Sequence, residues 1–407
     1  MLVIGGGIGG LALAAGLRRG GFDVTVFERD EDLRRTGGYH ITLDPRAQEA
    51  LASLVDPSVM QRLLASSAAV DRRDPDAMWD HEGRILPIPP AAVAAHSIDV
   101  DRITLRLLLA DAVGDDLERG RTFLRFERRE GGVSAHFADG TKVDGEILVG
   151  ADGAHSAVAQ ALAEGPTNQP AGIVGISGRT PVGTLSVQEQ QRLGIRSSFG
   201  VGPHGTAVYV GYHDPVGQAA LDAPALGAAF TTEATYIWGA MFPDDDRTAE
   251  LRGLSGDELR DATVALLREH GWASHALEVI TATAPDTLAT YRFRAASTDP
   301  ADLAPWKPGN VTALGDAVHA TPPTAGMGAG IAIRDAEHLR NALVAIRDGR
   351  SLPDEVGAFE DAMAARGAEA ISLAMETVGQ VLGAWRDSPR RTATARRRSP
   401  RVQGHGS

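Results

Sequence analysis

The residues whose types and spacing could do chemistry lie in three glycine-bearing segments, far apart in the chain. The first is Leu2-Val3-Ile4-Gly5-Gly6-Gly7-Ile8-Gly9-Gly10-Leu11, in which Gly5, Gly7 and Gly10 fit G-x-G-x-x-G. A short apolar strand, Leu2 to Ile4, enters it, and an alanine- and leucine-rich helical run, Leu11 to Arg19, leaves it. A second strand, Asp23 to Phe27, then ends on Glu28. Gly5 permits the tight turn, Gly7 has no side chain to hold a pyrophosphate off the backbone, and Gly10 lets helix and strand pack closely. Unpaired N–H groups and partial positive charge at the helix N-terminus attract phosphate, and Glu28 can accept hydrogen bonds from ribose hydroxyls. Three glycines alone would be weak evidence, and a glycine-rich turn in an unrelated α/β fold is the bland alternative. Strand, glycines, helix, strand and terminal acid in that order predict a bound dinucleotide. The other two segments are Asp152-Gly153, at the end of the buried run Ile147 to Gly150, and Gly315-Asp316, at the end of Val311 to Leu314.

Composition removes several other chemistries. The chain has no cysteine, so disulfides, thiolate metal sites, thiol nucleophiles and redox cysteine pairs are excluded. A metal site is not expected. The net charge is −13, and the last segment, 387–407, holds six arginines against one acid, so the body is more acidic still. Such a body is a poor match for nucleic acid, and the basic tail reads as a solvated, disordered end. No uncharged apolar run reaches the roughly 20 residues of a membrane helix, and the start lacks the basic lead of a signal peptide. A cytoplasmic location is the default expectation. The first strand begins abruptly at Met1, consistent with a few residues lying upstream.

At 407 residues the chain exceeds one ordinary core and predicts two domains. Pro45 to Leu54 and Pro57 to Leu64 read as helices. Ala77-Met78-Trp79 and Arg84-Ile85-Leu86 flank Glu82-Gly83 in a hairpin pattern that leaves the first domain for the second. Thr104 to Val113 has Leu105, Leu108, Leu109 and Ala112 on one face of a helix. Thr122 to Phe126 and Val133 to Phe137 form a strand pair, and Ser156 to Ala163 a short helix. Residues 166–298 change texture. Ile173 to Val182, Ser198 to Val201, Ala207 to Tyr212, Tyr236 to Phe242 and Thr287 to Phe293 predict a mostly antiparallel sheet, interrupted by a helix from Gly256. Phe199, Tyr209, Tyr212, Tyr236, Trp238 and Phe242 collect on these strands, either lining a pocket or forming an ordinary core face. After Gly315-Asp316 come the rigid loop His319 to Pro323, the glycine-rich Gly326-Met327-Gly328-Ala329-Gly330, a helix from Ile331 to Ile346, and a final helix from Glu355 to Val381.

Taken together, the three segments resemble the FAD-dependent class A aromatic monooxygenases of the para-hydroxybenzoate hydroxylase type, in the right order up to about residue 345. The resemblance implies an α/β protein: a Rossmann-like FAD-binding domain (1–70, 98–165 and 299–350) with a second α+β domain on a mostly antiparallel sheet (71–97 and 166–298). A C-terminal helix (351–386) and the basic tail (387–407) complete it. It implies that the loop Gly5, Gly7, Ile8, Gly9 and Gly10 cradles FAD and that Glu28 binds the adenosine ribose. Arg29 lies beside the adenine or on the surface. Arg102, ahead of the leucine-rich helix, reaches the phosphates or ribityl chain, and Arg35 is a weaker contact. Asp152 and Gly153 occupy the second fingerprint, where Ala159 replaces the usual arginine and puts the nicotinamide contact in doubt. Gly315 and Asp316 bind ribityl hydroxyls. Pro323, Gly326, Met327, Gly328 and Ala329 floor the flavin, where helix N–H groups would stabilise charge on the reduced ring. Gly330 replaces a common asparagine. His319 is expected to hold the structure by a hydrogen bond rather than to act as acid or base.

The reaction implied is hydroxylation of an aromatic or polyketide-like small molecule with NADPH or NADH and O2, through a flavin C4a-hydroperoxide. Arg179 and Tyr212, on second-domain strands, are the candidates to activate a phenol, against plain roles as a surface salt bridge and a packed core residue. Two other readings stay open: an FAD-dependent dehydrogenase or reductase of a hydrophobic small molecule, and a turnover-deficient flavin-binding protein. The chain is expected to be a monomer or homodimer.

Overall fold

The computed structural model describes residues 1–34, 40–69, 74–87, 96–214 and 234–386. Its first body is built on a five-stranded parallel sheet in the spatial order Val311–Ala313, Leu148–Gly150, Leu2–Ile4, Thr25–Glu28 and Leu117–Arg119. The strands Val311–Ala313, Leu148–Gly150 and Leu2–Ile4 are buried along their whole length. This is why they read as continuous apolar runs and not as alternating patterns. The helices Ile8–Arg19, Arg102–Val113 and Gly328–Arg347 pack on this sheet and on one another, with Leu11, Leu13, Leu17, Leu105, Leu109 and Leu339 in one core. A three-stranded antiparallel sheet, Phe123–Arg129, Gly132–Phe137 and Lys142–Gly145, closes the other side through Phe27 and Phe137.

The second body is a seven-stranded sheet in the order Ala289–Ala295, Gln169–Pro181, Thr235–Pro243, Ala207–His213, Ser197–Val201, Ala77–Asp80 and Ile85–Leu86. Every neighbour pair is antiparallel except Ala77–Asp80 with Ser197–Val201. Side chains alternate between its faces. Ile176, Val208, Val210, Tyr236, Trp238 and Phe242 join the helices Gly256–Glu269 and Glu278–Thr281 in one core. On the opposite face Ile173, Ala207, Met241 and Phe293 meet Val378 and Val381 of the long helix Leu352–Arg386. That helix also gives Phe359, Met363 and Ile371 to the first core, so it ties the two bodies together.

Several boundaries differ from expectation for identifiable reasons. The first helix begins at Ile8 and the penultimate one at Gly328, each about a turn before the apolar periodicity starts. Glycine carries no periodicity, yet it is needed there. A Cβ at Gly9 would lie 2.8 Å from Leu314 Cδ1 and 3.2 Å from Ala332 Cβ, where the two helices cross. A small antiparallel sheet, His40–Leu43, Ile98–Asp101 and Ser67–Ala69, was not legible at all. Its strands are three or four residues long, too short for alternation to show. Among the described residues, no helix is long and apolar enough to cross a membrane. The expected basic tail and Arg35 lie outside the described residues.

Candidate functional site

The glycine loop is shaped by backbone contacts. Gly5 has φ +107°, and a Cβ on it would sit 2.3 Å from the Ala151 carbonyl oxygen; a Cβ on Gly10 would sit 2.2 Å from the Gly5 carbonyl oxygen. Both positions therefore admit only glycine. Gly7 differs: the nearest atom to its Cβ would be 3.9 Å away, so the space above it is open. Gly7 caps the helix Ile8–Arg19 without any side-chain acceptor, and no acid lies in the first turn. The first N–H groups of that helix, which have no intrahelical partner, are thus unclaimed by local anions. This open cradle fits a pyrophosphate.

Glu28 is buried at the end of its strand and held flat beneath the loop. Its Oε2 accepts from the Gly6 N–H at 2.7 Å and its Oε1 from the Asp30 N–H at 2.8 Å. Arg106 Nη2 lies 3.0 Å from Glu28 Oε2. Sequence reasoning did not single out Arg106, although it stands one helical turn after Arg102 on the same face. Arg29 has a side chain 74% exposed, beside Asp30 at 4.0 Å, and so takes the surface role.

The third segment meets the first across the sheet. Asp316 opens onto a cleft of about 170 Å³ that Tyr291, Thr321, Pro323, Ala154 and His155 also line. It is solvent-reachable on that side and enclosed by protein on the others, and burial pushes its carboxyl above the usual carboxylate range, with His319 and Arg102 opposing. Arg102 interacts electrostatically with Asp316, Arg106 and Tyr291, and burial lowers its pKa. Residues 102, 291 and 316 thus converge on one spot. Met327 caps the helix Gly328–Arg347 with no side-chain acceptor; its first intrahelical bond is Ile331 N–H to Met327 O at 3.1 Å. The N–H groups of Gly328, Ala329 and Gly330 are therefore available beside Asp316, whose Oδ1 would be 3.7 Å from a Cβ on Gly328. Gly326 has φ +64° in the turn that leads in. A Cβ on Gly330 would be 3.3 Å from Ala47 Cβ, so close helix packing accounts for glycine at this position.

The second segment behaves differently from expectation. The Asp152 carboxylate accepts from Ser156 Oγ and from the N–H groups of Ala157 (2.8 Å) and Val158 (3.4 Å), capping the short helix Ala157–Leu162. Its carboxylate is engaged by its own turn. Gly153, at φ +76°, has no neighbour within 4 Å of a Cβ and leaves that turn open. Ala159 is fully buried in the main core and presents nothing to the cleft.

Of the two expected phenol-activating residues, Tyr212 is corrected. It pairs across the sheet with Tyr236, on the face covered by the helices Gly256–Glu269 and Glu278–Thr281, and its ring meets Tyr236 edge-on at 5.5 Å. Strand alternation points it away from Asp316, and burial with Asp214 nearby raises its pKa. Tyr236, Trp238 and Phe242 share this face, so most of the aromatic cluster is core and only Phe199 and Tyr209 lie on the other side. Tyr212→Phe should leave turnover and KM within about twofold of wild type and stability within about 0.5 kcal/mol; a large loss of kcat would contradict this placement. Arg179 is on the opposite face and ion-pairs with Asp101, the residue whose side chain caps the helix Arg102–Val113 through the Thr104 N–H at 2.8 Å. It is therefore a bridge between the two bodies, not a surface pair.

His319 is fully buried and its Nε2 lies 2.6 Å from Asp335 Oδ2. Asp335 also accepts from the Gly315 N–H at 3.2 Å and from Arg366 Nη2 at 3.0 Å. The histidine is structural, as its sequence position implied.

Two parts of the chain match known families: residues 3–46, which hold the glycine loop, the NAD(P)-binding Rossmann-like domain, and residues 257–374, which hold Asp316, the FAD binding domain. Chloroplastic zeaxanthin epoxidase of Oryza sativa subsp. japonica is 29% identical over 351 residues, covering 83% of this chain and 48% of that protein. Aurachin C monooxygenase/isomerase of Stigmatella aurantiaca is 29% identical over 350 residues, covering 84% of this chain and 80% of its own length. The chain spans about half the length of several curated relatives it matches. The structure of Klebsiella pneumoniae HpxO complexed with FAD and uric acid shares the fold, with a TM-score of 0.71 at 23% identity over 97% of this chain and 91% of that one. Fold, loop and matches define an FAD-binding flavoprotein of mixed α/β architecture. The chain carries an FAD binding domain and is similar to FAD-dependent monooxygenases, and FAD is its cofactor.

Proposed function

We propose that this chain is an FAD-dependent monooxygenase that hydroxylates an aromatic or polyketide-like small molecule, with NAD(P)H as reductant and O2 as oxidant, in the cytoplasm. The observation that carries the reading is Asp316, which lines a cleft shared with Tyr291 to Arg294 of the seven-stranded sheet and has Arg102 and the Gly328 helix N-terminus beside it. The activities named for relatives, an epoxidase and a monooxygenase/isomerase, support the same class. Bound FAD supplies hydride acceptance and oxygen activation. The protein's part is binding, orientation and exclusion of water. The open loop at Gly7 holds the pyrophosphate, Glu28 the ribose, and Asp316 the ribityl chain. The N–H groups of Gly328, Ala329 and Gly330 would favour negative charge on the reduced flavin. On the roof, Gly239 has nothing within 4 Å of a Cβ, which leaves room for a flat substrate between the two bodies. Arg179, tied to Asp101, holds roof and cofactor helix in register.

Purified holoprotein mixed with NADPH or NADH, labelled O2 and a panel of phenols and polyketides tests the reading. Substrate-stimulated reductant oxidation and a product carrying one labelled oxygen support it. Substrate reduction without oxygen incorporation would make the protein a reductase, and a flavin that neither nicotinamide bleaches would make it turnover-deficient.

A further inference from the structure

Arg106 is the most heavily engaged side chain in the first body, although no expected role accounts for it. It is 5% exposed on the helix Arg102–Val113. Its Nε donates to the Gly6 carbonyl at 2.8 Å and its Nη1 to the Leu33 carbonyl at 3.0 Å. Nη1 and Nη2 both reach Asp30 Oδ2 at 3.3 Å, and Nη2 reaches Glu28 Oε2 at 3.0 Å. One guanidinium therefore grips the glycine loop by its carbonyl, the ribose-binding acid by its carboxylate, and the segment that follows. The planar fork with fixed donor directions is suited to this, and a lysine ammonium is not.

The consequence lies in the lone pairs of Glu28. A carboxylate has roughly four acceptor sites. Oε2 accepts from the Gly6 N–H and has the Arg106 guanidinium ion-paired against it, while Oε1 accepts only from the Asp30 N–H. The less engaged oxygen is Oε1. Gly6, an unspecified position in the G-x-G-x-x-G pattern, is constrained by the same arrangement: a Cβ there would lie 2.9 Å from Glu28 Cβ and 3.0 Å from Oε2. We propose that Arg106 is a positioning residue for the adenosine end of the cofactor, which turns Glu28 so that only Oε1 is presented to a ribose hydroxyl. Without it, Glu28 would be a buried anion held by one amide on each oxygen, with no cation to set its two oxygens apart. The proposal rests on FAD being the bound dinucleotide.

The test is titration of apoprotein with FAD, with FMN, and with an FAD whose adenosine ribose lacks its hydroxyls, followed by flavin fluorescence. Wild type should prefer FAD over the deoxy analogue by about tenfold, the worth of one charge-assisted hydrogen bond. Arg106→Ala should weaken FAD by at least that factor, leave FMN unchanged, and abolish the preference over the analogue. Arg106→Lys should recover part of the FAD affinity. Gly6→Ala, which displaces the same carboxylate from the other side, should lose the preference too. If Arg106→Ala does not fold, the preference ratio in Arg106→Lys and Gly6→Ala decides the matter. An unchanged ratio in the variants, or equal losses for FAD and FMN, overturns the proposal. Failure of wild type itself to bind FAD would overturn the cofactor assignment instead.

Discussion

Gly5→Ala is expected to give a colourless and heat-labile protein. The added methyl would meet the Ala151 carbonyl oxygen at 2.3 Å, its carbon at 2.5 Å and Asp152 Cα at 2.8 Å, all backbone atoms. None of these can swing aside, because the surrounding strands are locked. Gly5 N–H donates to the Phe27 carbonyl at 2.8 Å and Ala151 N–H to the Ile4 carbonyl at 2.7 Å. Overpacking in a tight interior costs about 1–3 kcal/mol, and a non-glycine residue forced to this φ adds about 1–3 kcal/mol more. Against a typical total of about 5–15 kcal/mol that is a large fraction. Gly7→Ala is the informative contrast. Its methyl finds only the Ala151 oxygen, at 3.9 Å, so folding should be undisturbed while the space above the helix N-terminus is filled. Thermal unfolding and flavin absorbance of the two variants check this: Gly5→Ala should lose both stability and colour, and Gly7→Ala colour alone. A yellow Gly7→Ala protein with wild-type affinity would show that the pyrophosphate lies elsewhere.

The second large effect is expected at Asp335. It is the single carboxylate between His319 and Arg366, fully buried, and it also holds the Gly315 N–H directly before Asp316. Asp335→Asn would leave a buried imidazolium and a guanidinium without their counter-ion. Breaking a buried pair in this way typically costs about 3–5 kcal/mol. The wild type should show the corresponding pH dependence. The Asp335 carboxyl is held below its ordinary 3.8 by His319 and Arg366, which outweigh burial; the His319 imidazole is held above its ordinary 6.5 by Asp335, also against burial. The aspartate's contribution is therefore complete above 3.8 and fades as pH falls through its lowered folded value. The histidine's is complete below 6.5 and fades as pH rises through its raised one. Denaturant unfolding across pH should find the cluster's contribution greatest between these limits and nearly absent in Asp335→Asn. A variant within 1 kcal/mol of wild type at pH 6, an order-of-magnitude threshold below the pair-breaking range, would show that the cluster does not hold the loop.

The legible parts of the site were those in which backbone conformation or periodicity leaves a mark on residue type. Gly5 and Gly10 are glycines because carbonyls stand where their side chains would be. The central strands are recognisable because both their faces are buried, and the helix Pro45–Leu54 was bounded correctly because a proline and Asp44 mark its start. Contacts between the side chains of distant segments leave no such mark. Tyr212 and Arg179 are both polar residues on strands that flank Thr235–Pro243, and only the register, Tyr212 opposite Tyr236 and Arg179 opposite Ile237, puts them on opposite faces. Asp152 and Asp316 both follow a buried strand, yet one caps its own helix and the other opens onto the cleft.

The amino-acid order alone thus made legible the glycine loop, the acid that ends the second strand and the alternation of parallel and antiparallel parts, because each leaves a local mark of glycine spacing or apolar pattern on the chain. The tertiary structure alone decided which charges meet: Arg106 with Glu28, Arg179 with Asp101, and Asp335 with His319 and Arg366. A buried charge is tolerated only beside its partner, and that partner is chosen by how helices and sheets pack, which local sequence does not encode.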